Sequence, residues 1–147
     1  MKKTKKLFVM SLVLMVVMAC AATVSAKTFS QSGKKRGVEN YSVSQNGDKG
    51  TFWAVGTSTK AYTTVTNKTK STYYMTAATS EYTYDKGITQ IAEDKKNVGV
   101  GLQVVSGYIT RKYSAWTVDY RHSGNIYVSQ GANPKYDDFY YIGRQYY

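Results

Sequence analysis

The chain has 147 residues, with 20 lysines and arginines against nine aspartates and glutamates, one histidine and one cysteine. A lone cysteine excludes an intrachain disulfide framework and a cysteine-built metal site, and a lone histidine excludes a histidine-cluster metal centre. Aromatic residues make up 14 % of the chain and 15 of them are tyrosine, a residue that suits half-buried pleated surfaces.

The N-terminus carries four lysines before Leu7, an almost unbroken apolar run from Leu7 to Cys20, and small residues at Val24-Ser25-Ala26. This is the pattern of a secretory signal peptide over residues 1–26, cleaved after Ala26 to leave Lys27 first. The run is short for a membrane crossing, so no stable span is expected in the mature form. Val17-Met18-Ala19-Cys20 offers an alternative, a lipobox with Cys20 lipidated, but Met18 fits it poorly. Loss of the leader removes the cysteine and four lysines, leaving sixteen basic residues against nine acidic ones, a net charge of +7. That balance favours anionic partners such as wall polymers or lipid headgroups; nucleic acid is set aside for an exported protein.

Residues 27–49 are polar and basic, densest at Lys34-Lys35-Arg36, and read as a mostly flexible arm. Tyr41-Ser42-Val43 can add one strand before the Asn46-Gly47 turn. From Gly50 the pattern is β, and residues 50–130 are expected to form an antiparallel β-sandwich. The strands expected are Thr51–Val55, Ala61–Thr66, Ser71–Thr79 continuing through Glu81–Tyr84, a short Ile88–Ala92, and Ile126–Ser129. Asp85-Lys86-Gly87 supplies a turn, and Glu93–Asn97 reads as a charged connector. Turn signals recur about every ten residues, the spacing of an antiparallel sandwich or barrel.

The stretch Val98–Tyr120 reads as the central hairpin. Val98, Val100, Leu102 and Val104 alternate with Gly99, Gly101 and Gln103, Ser106-Gly107 turns, and Tyr108–Tyr120 returns. Trp53, Tyr73, Met75, Val100, Leu102, Val104, Trp116 and Val118 are expected in the core. The tail, residues 131–147, holds Tyr136, Phe139, Tyr140, Tyr141, Tyr146 and Tyr147. It reads as an edge strand folding back on the sandwich or as an aromatic surface for sugars, headgroups or a second copy.

Catalysis needs positioned groups, and few are evident. His122 falls in a glycine-containing turn where exposure is expected, with no orienting carboxylate. Glu93-Asp94 and Asp137-Asp138 are adjacent pairs, which on a strand point to opposite faces and cannot flank one bond. Gly99 and Gly101 lie within an expected strand instead of opening a helix, so no phosphate-cradling loop is present. The expectation is a non-enzyme without cofactor or metal. Its candidate partner-binding residues are Lys34, Lys35 and Arg36 on the arm and Tyr140 and Tyr141 on the tail.

The order Gly50-Thr51, Trp53, Gly56, Ala61-Tyr62, Lys68 and Ser71 resembles the opening of the lactococcin-972-type bacteriocins. Val98-Gly99-Val100 with Val104, and Tyr113-Ser114-Ala115-Trp116 with Tyr120, fall where that family has its small-apolar and aromatic closing strands. The resemblance covers residues 50–120; the basic arm, the longer middle at 81–97 and the aromatic tail depart from it. It implies a secreted antibacterial β-sandwich of Gram-positive bacteria that binds a cell-wall precursor and inhibits related strains, with a homodimer among its assemblies. The alternative is a non-toxic envelope- or matrix-binding module.

Overall fold

The computed structural model describes residues 27–36, 40–57, 59–111, 117–127, 129–130 and 135–146, with backbone alone at 27–36 and 145–146. The expected leader and Trp116 lie outside them. Ten strands follow in chain order: β1 (Lys27–Arg36), β2 (Tyr41–Asn46), β3 (Gly50–Gly56), β4 (Lys60–Asn67), β5 (Tyr73–Thr83), β6 (Gly87–Val98), β7 (Gln103–Val105), β8 (Ile109–Thr110), β9 (Thr117–Tyr127) and β10 (Lys135–Tyr146). They form two sheets, β1-β10-β9-β5-β6 and β2-β3-β4-β7, with β8 added to β4. All pairings are antiparallel except β1 with β10. The protein is an all-β sandwich, as the turn spacing and alternation indicated.

Side-chain alternation sorts each strand into an inner and an outer row. In the first sheet the inner row of β9 is Val118, Tyr120, His122, Gly124 and Ile126, and register places Met75, Ala77, Thr79 and Glu81 of β5 beside it. In the second sheet Tyr41, Phe52, Ala54, Ala61, Val65, Val104 and Ile109 face them. Phe52 and Phe139 stack across the gap, with ring centroids 5.3 Å apart and planes 13° apart. Glycines let the sheets approach. The Tyr41 ring occupies the space over both Gly56 and Gly143, where a Cβ at either position would overlap it. Gly143→Ala should therefore cost about 1–3 kcal/mol through overpacking. A urea midpoint equal to the parent's would mean that the ring has somewhere else to go.

Several expectations are corrected. The basic segment is not a free arm: its first ten residues pair with β10, Phe29 opposite Phe139 and Gly33 opposite Gly143, while the strand expected at Tyr41–Val43 is present as β2, paired with β3. An edge strand needs no apolar row on both faces, which is why the polar sequence concealed β1. The aromatic tail is an interior strand, hydrogen-bonded to β1 on one side and β9 on the other. Glu93–Asn97 belongs to β6, an edge strand whose charges pair locally as Lys95–Glu93 at 3.9 Å and Lys96–Asp94 at 2.9 Å.

Among the described residues the expected central hairpin does not form: β7 and β8 pair with β4, and β9 pairs with β10 and β5. Gly101 has φ +69° and Leu102 N–H donates to Gly99 C=O at 3.1 Å, so residues 99–102 form a turn with Val100 and Leu102 exposed. Gly107 does turn the chain, at φ +81°, but β7 and β8 both pair with β4 instead of each other. The expected turn at His122-Ser123-Gly124 is continuous strand, because Gly124 lies beneath Val65 and Phe52 and its missing side chain is what that packing needs. Of the expected core, Met75, Val104 and Val118 are fully buried and Tyr73 half-buried, whereas Trp53 joins Val100 and Leu102 outside.

Candidate functional site

Trp53 is the largest exposed apolar side chain on the second sheet, 42 % accessible, and it marks an open groove of about 440 Å³ on that sheet's outer face. Parity along β3 explains it. Gly50, Phe52, Ala54 and Gly56 point inward, so Thr51, Trp53 and Val55 point out. Register then assembles the floor: Trp53 lies opposite Thr64, Val55 opposite Tyr62, Thr64 opposite Val105 and Thr66 opposite Gln103. Tyr108, carried past the Gly107 turn, packs edge-on over Tyr62 with centroids 4.9 Å apart. The Ser106 hydroxyl accepts the Thr63 N–H at 3.0 Å and so anchors the loop that presents Tyr108. The lining residues are aromatic, hydroxyl, amide and aliphatic, none of them charged; Lys60 stands near it with its ammonium 4.8 Å from the Tyr108 ring centre. Flat rings beside hydroxyl and amide groups can stack on the C–H face of a sugar and bond its hydroxyls.

A second cluster lies in the core. His122 Nε2 is 2.7 Å from Tyr41 Oη, and Nδ1 is 2.9 Å from Thr63 Oγ1. Thr63 Oγ1 donates its one proton to Ala78 C=O at 2.9 Å, so toward His122 it accepts. The hydrogen-bond network therefore assigns the imidazole proton to Nδ1, and Tyr41 O–H donates to Nε2. Burial holds the His122 pKa down to about 3, against which a hydrogen bond to the Tyr62 backbone carbonyl works. Thr79 and Ser106 continue the chain at 2.6 Å and 2.9 Å. A neutral, fully enclosed imidazole of this kind ties the two sheets together and presents nothing to a substrate. Burial also raises the Tyr141 pKa.

The five sequence-derived candidates do not converge. Lys34, Lys35 and Arg36 lie at the end of β1, in register with Arg144, Gln145 and Tyr146. Tyr140 is half-buried on the outer face of the first sheet. Tyr141 is 3 % exposed and packs against Tyr41 and His122, so it is a core residue and not a partner-binding one. Sequence reasoning missed Trp53, Tyr62 and Tyr108 as a set. The signal that could have found them was the threonine-rich β4 beside a strand with two competing parities.

Among the other carboxylates, Asp137 is enclosed and accepts N–H bonds from Asp48, Lys49 and Gly50 at 2.8, 2.8 and 3.1 Å. Asp119 holds Arg144 through two bonds of 2.6 and 2.7 Å. Among the described residues no group of three His, Cys, Asp or Glu side chains is placed to hold a metal ion.

No family model and no curated protein matches the chain. Among solved structures it is similar to a β-glucuronidase from glycoside hydrolase family 2, at 13 % identity and a TM-score of 0.37, over 71 % of this chain and 11 % of that one. The chain thus spans about a tenth of that enzyme's length, and the likeness is too distant to transfer an activity.

Proposed function

We propose that the chain is a secreted, non-catalytic binding protein of the Gram-positive envelope that holds the saccharide part of a wall polymer or wall precursor in the groove on the second sheet. The observation that carries this is the Trp53–Tyr62–Tyr108 platform set among threonine, serine and glutamine side chains on an open face. Stacking on sugar faces and hydroxyl bonding are short-range. The mature net charge of +7 acts at longer range, drawing the protein toward an anionic envelope. Growth inhibition of related bacteria is what the resemblance to the lactococcin-972 type adds; the non-toxic module is the alternative, and both use the same face.

The test is binding of the purified mature protein to isolated Gram-positive walls, run beside a growth-inhibition assay. Trp53→Ala with Tyr62→Ala should weaken wall binding by about tenfold or more, since each lost ring contact is worth about 0.5–1.5 kcal/mol beyond the area it buries. That loss should persist when salt rises from about 0.1 M to 1 M, where the Debye length shrinks from about 10 to 3 Å. Neutralising Lys34, Lys35 and Arg36 should instead lower binding only at the low-salt end. Wall binding unchanged in the double aromatic variant would remove the groove from the proposal. Binding without growth inhibition would decide for the non-toxic module.

A further inference from the structure

The end of the sandwich where β6 passes from the first sheet to the second carries two exposed aliphatic side chains. Val100 is 58 % accessible and Leu102 63 %, two aliphatic side chains exposed side by side on one turn. The exposure is built in. Asn67, itself buried, donates its backbone N–H to Leu102 C=O at 2.9 Å and receives Gly101 N–H at 3.1 Å. Its side-chain amide donates to Val98 C=O at 2.9 Å and to Ser71 C=O at 2.7 Å, while its Oδ1 accepts Thr69 N–H at 2.9 Å. One residue thus ties the 99–102 turn to the 68–72 loop, and Gly101 at φ +69° keeps the apex bare.

The charges around this tip are mostly of one sign. Lys68 and Lys70 are exposed on the tied loop, and Lys68 N–H donates to Lys49 C=O at 3.1 Å, bringing the 47–49 turn alongside. Lys49 extends over Tyr136 and Tyr73, 5.0 and 5.9 Å from their ring centres. Of the acids at this end, Asp137 is consumed by backbone N–H groups and Asp138 pairs with Lys135 at 3.4 Å, leaving Asp48 as the exposed one.

We infer that this end is a membrane-contact tip: Val100 and Leu102 enter the headgroup region of an anionic bilayer while Lys68, Lys70 and Lys49 meet its phosphates. Aliphatic side chains with lysines on the adjoining loop and turn match an anionic bilayer better than a neutral one. The groove opens beside the tip, since Thr66 directly precedes Asn67 and Gln103 directly follows Leu102. A protein seated this way holds its sugar-binding face next to the membrane. The inference stands on the tip alone and does not require the groove.

The experiment is flotation of the purified mature protein with vesicles of phosphatidylglycerol and phosphatidylcholine, and with phosphatidylcholine alone. Parent protein should float with the mixed vesicles and scarcely with the neutral ones. Val100→Ser with Leu102→Ser should weaken binding about tenfold or more, the loss expected for withdrawing two partly buried aliphatic side chains. Lys68→Gln with Lys70→Gln should weaken it about tenfold at low salt and leave less salt dependence. Ile91→Ser removes an equally exposed side chain, 64 % accessible on β6, and should bind as the parent does. So should Trp53→Ala, which separates this result from the fate of the groove. Because every substituted side chain is exposed, circular dichroism should match the parent throughout. Unchanged flotation of the Val100/Leu102 variant would overturn the proposal, and so would equal binding to neutral vesicles. A parent that fails to float but forms a dimer which that variant disrupts would also overturn it, assigning the tip to a second copy.

Discussion

Replacing His122 by alanine should destabilise the protein by about 3–5 kcal/mol, the combined cost of a core cavity and of orphaned hydrogen-bond partners. The ring bridges Tyr41 of the second sheet's edge strand and Thr63 of its interior strand from the centre of the first sheet. Its removal takes away the bond to the buried Tyr41 phenol and leaves Thr63 one donor short. The same residue gives the parent an acid sensitivity of definite sign. The folded pKa is about 3 and the ordinary value 6.5, so in this interval the unfolded chain binds the extra proton. Stability from this source is complete above the unfolded value and is lost as pH falls toward the folded one. The loss should reach about 2 kcal/mol between about pH 7.5 and pH 5, from about 1.4 kcal/mol per pH unit once below the unfolded pKa. Urea midpoints measured across that range should fall in the parent and stay nearly level in His122→Gln. Parallel curves for the two proteins would mean that the imidazole is not held neutral.

Asp137→Ala should cost about 2–4 kcal/mol, because three backbone donors lose a charged acceptor at once. The carboxylate of β10 closes the turn between β2 and β3, taking Asp48 N–H on one oxygen and Lys49 and Gly50 N–H on the other. Gly47 completes the arrangement, since a Cβ there would lie about 2.5 Å from a carboxylate oxygen. Asp137→Asn can keep the oxygen that serves two donors but turns an NH2 toward the third, so about half the loss is expected. Amide exchange at Asp48, Lys49 and Gly50 should accelerate in both variants. Protection equal to the parent's at these three amides would show that the turn is held by other means.

Much of the sandwich was legible in the chain itself. The Asn46-Gly47 and Asp85-Lys86-Gly87 turns, the runs 51–55 and 61–66, and the long β5 from Tyr73 all follow from period-two alternation broken by turn residues. The single histidine and the single cysteine are properties of composition, which no folding can change. Alternation, however, tells only that a strand has two faces, and it does not say which faces the core.

That choice is what tertiary structure made, and it relocated the candidate site. On β3 the rows Thr51-Trp53-Val55 and Phe52-Ala54 compete, and hydrophobicity favours the one with tryptophan. The fold selects the smaller row because Gly50 and Gly56 lie on it, where Ile126 and Tyr41 of other strands fill the glycine hollows. A hollow has meaning only once its occupant arrives from across the sandwich. The same holds for Gly124, read locally as a turn and used globally as a bed for Phe52 and Val65. It holds too for Lys27–Arg36, whose partner lies more than a hundred residues away in sequence. Local pattern determined where strands could form; contacts distant in sequence decided which side chains they hid, and so left Trp53, Tyr108, Val100 and Leu102 at the surface.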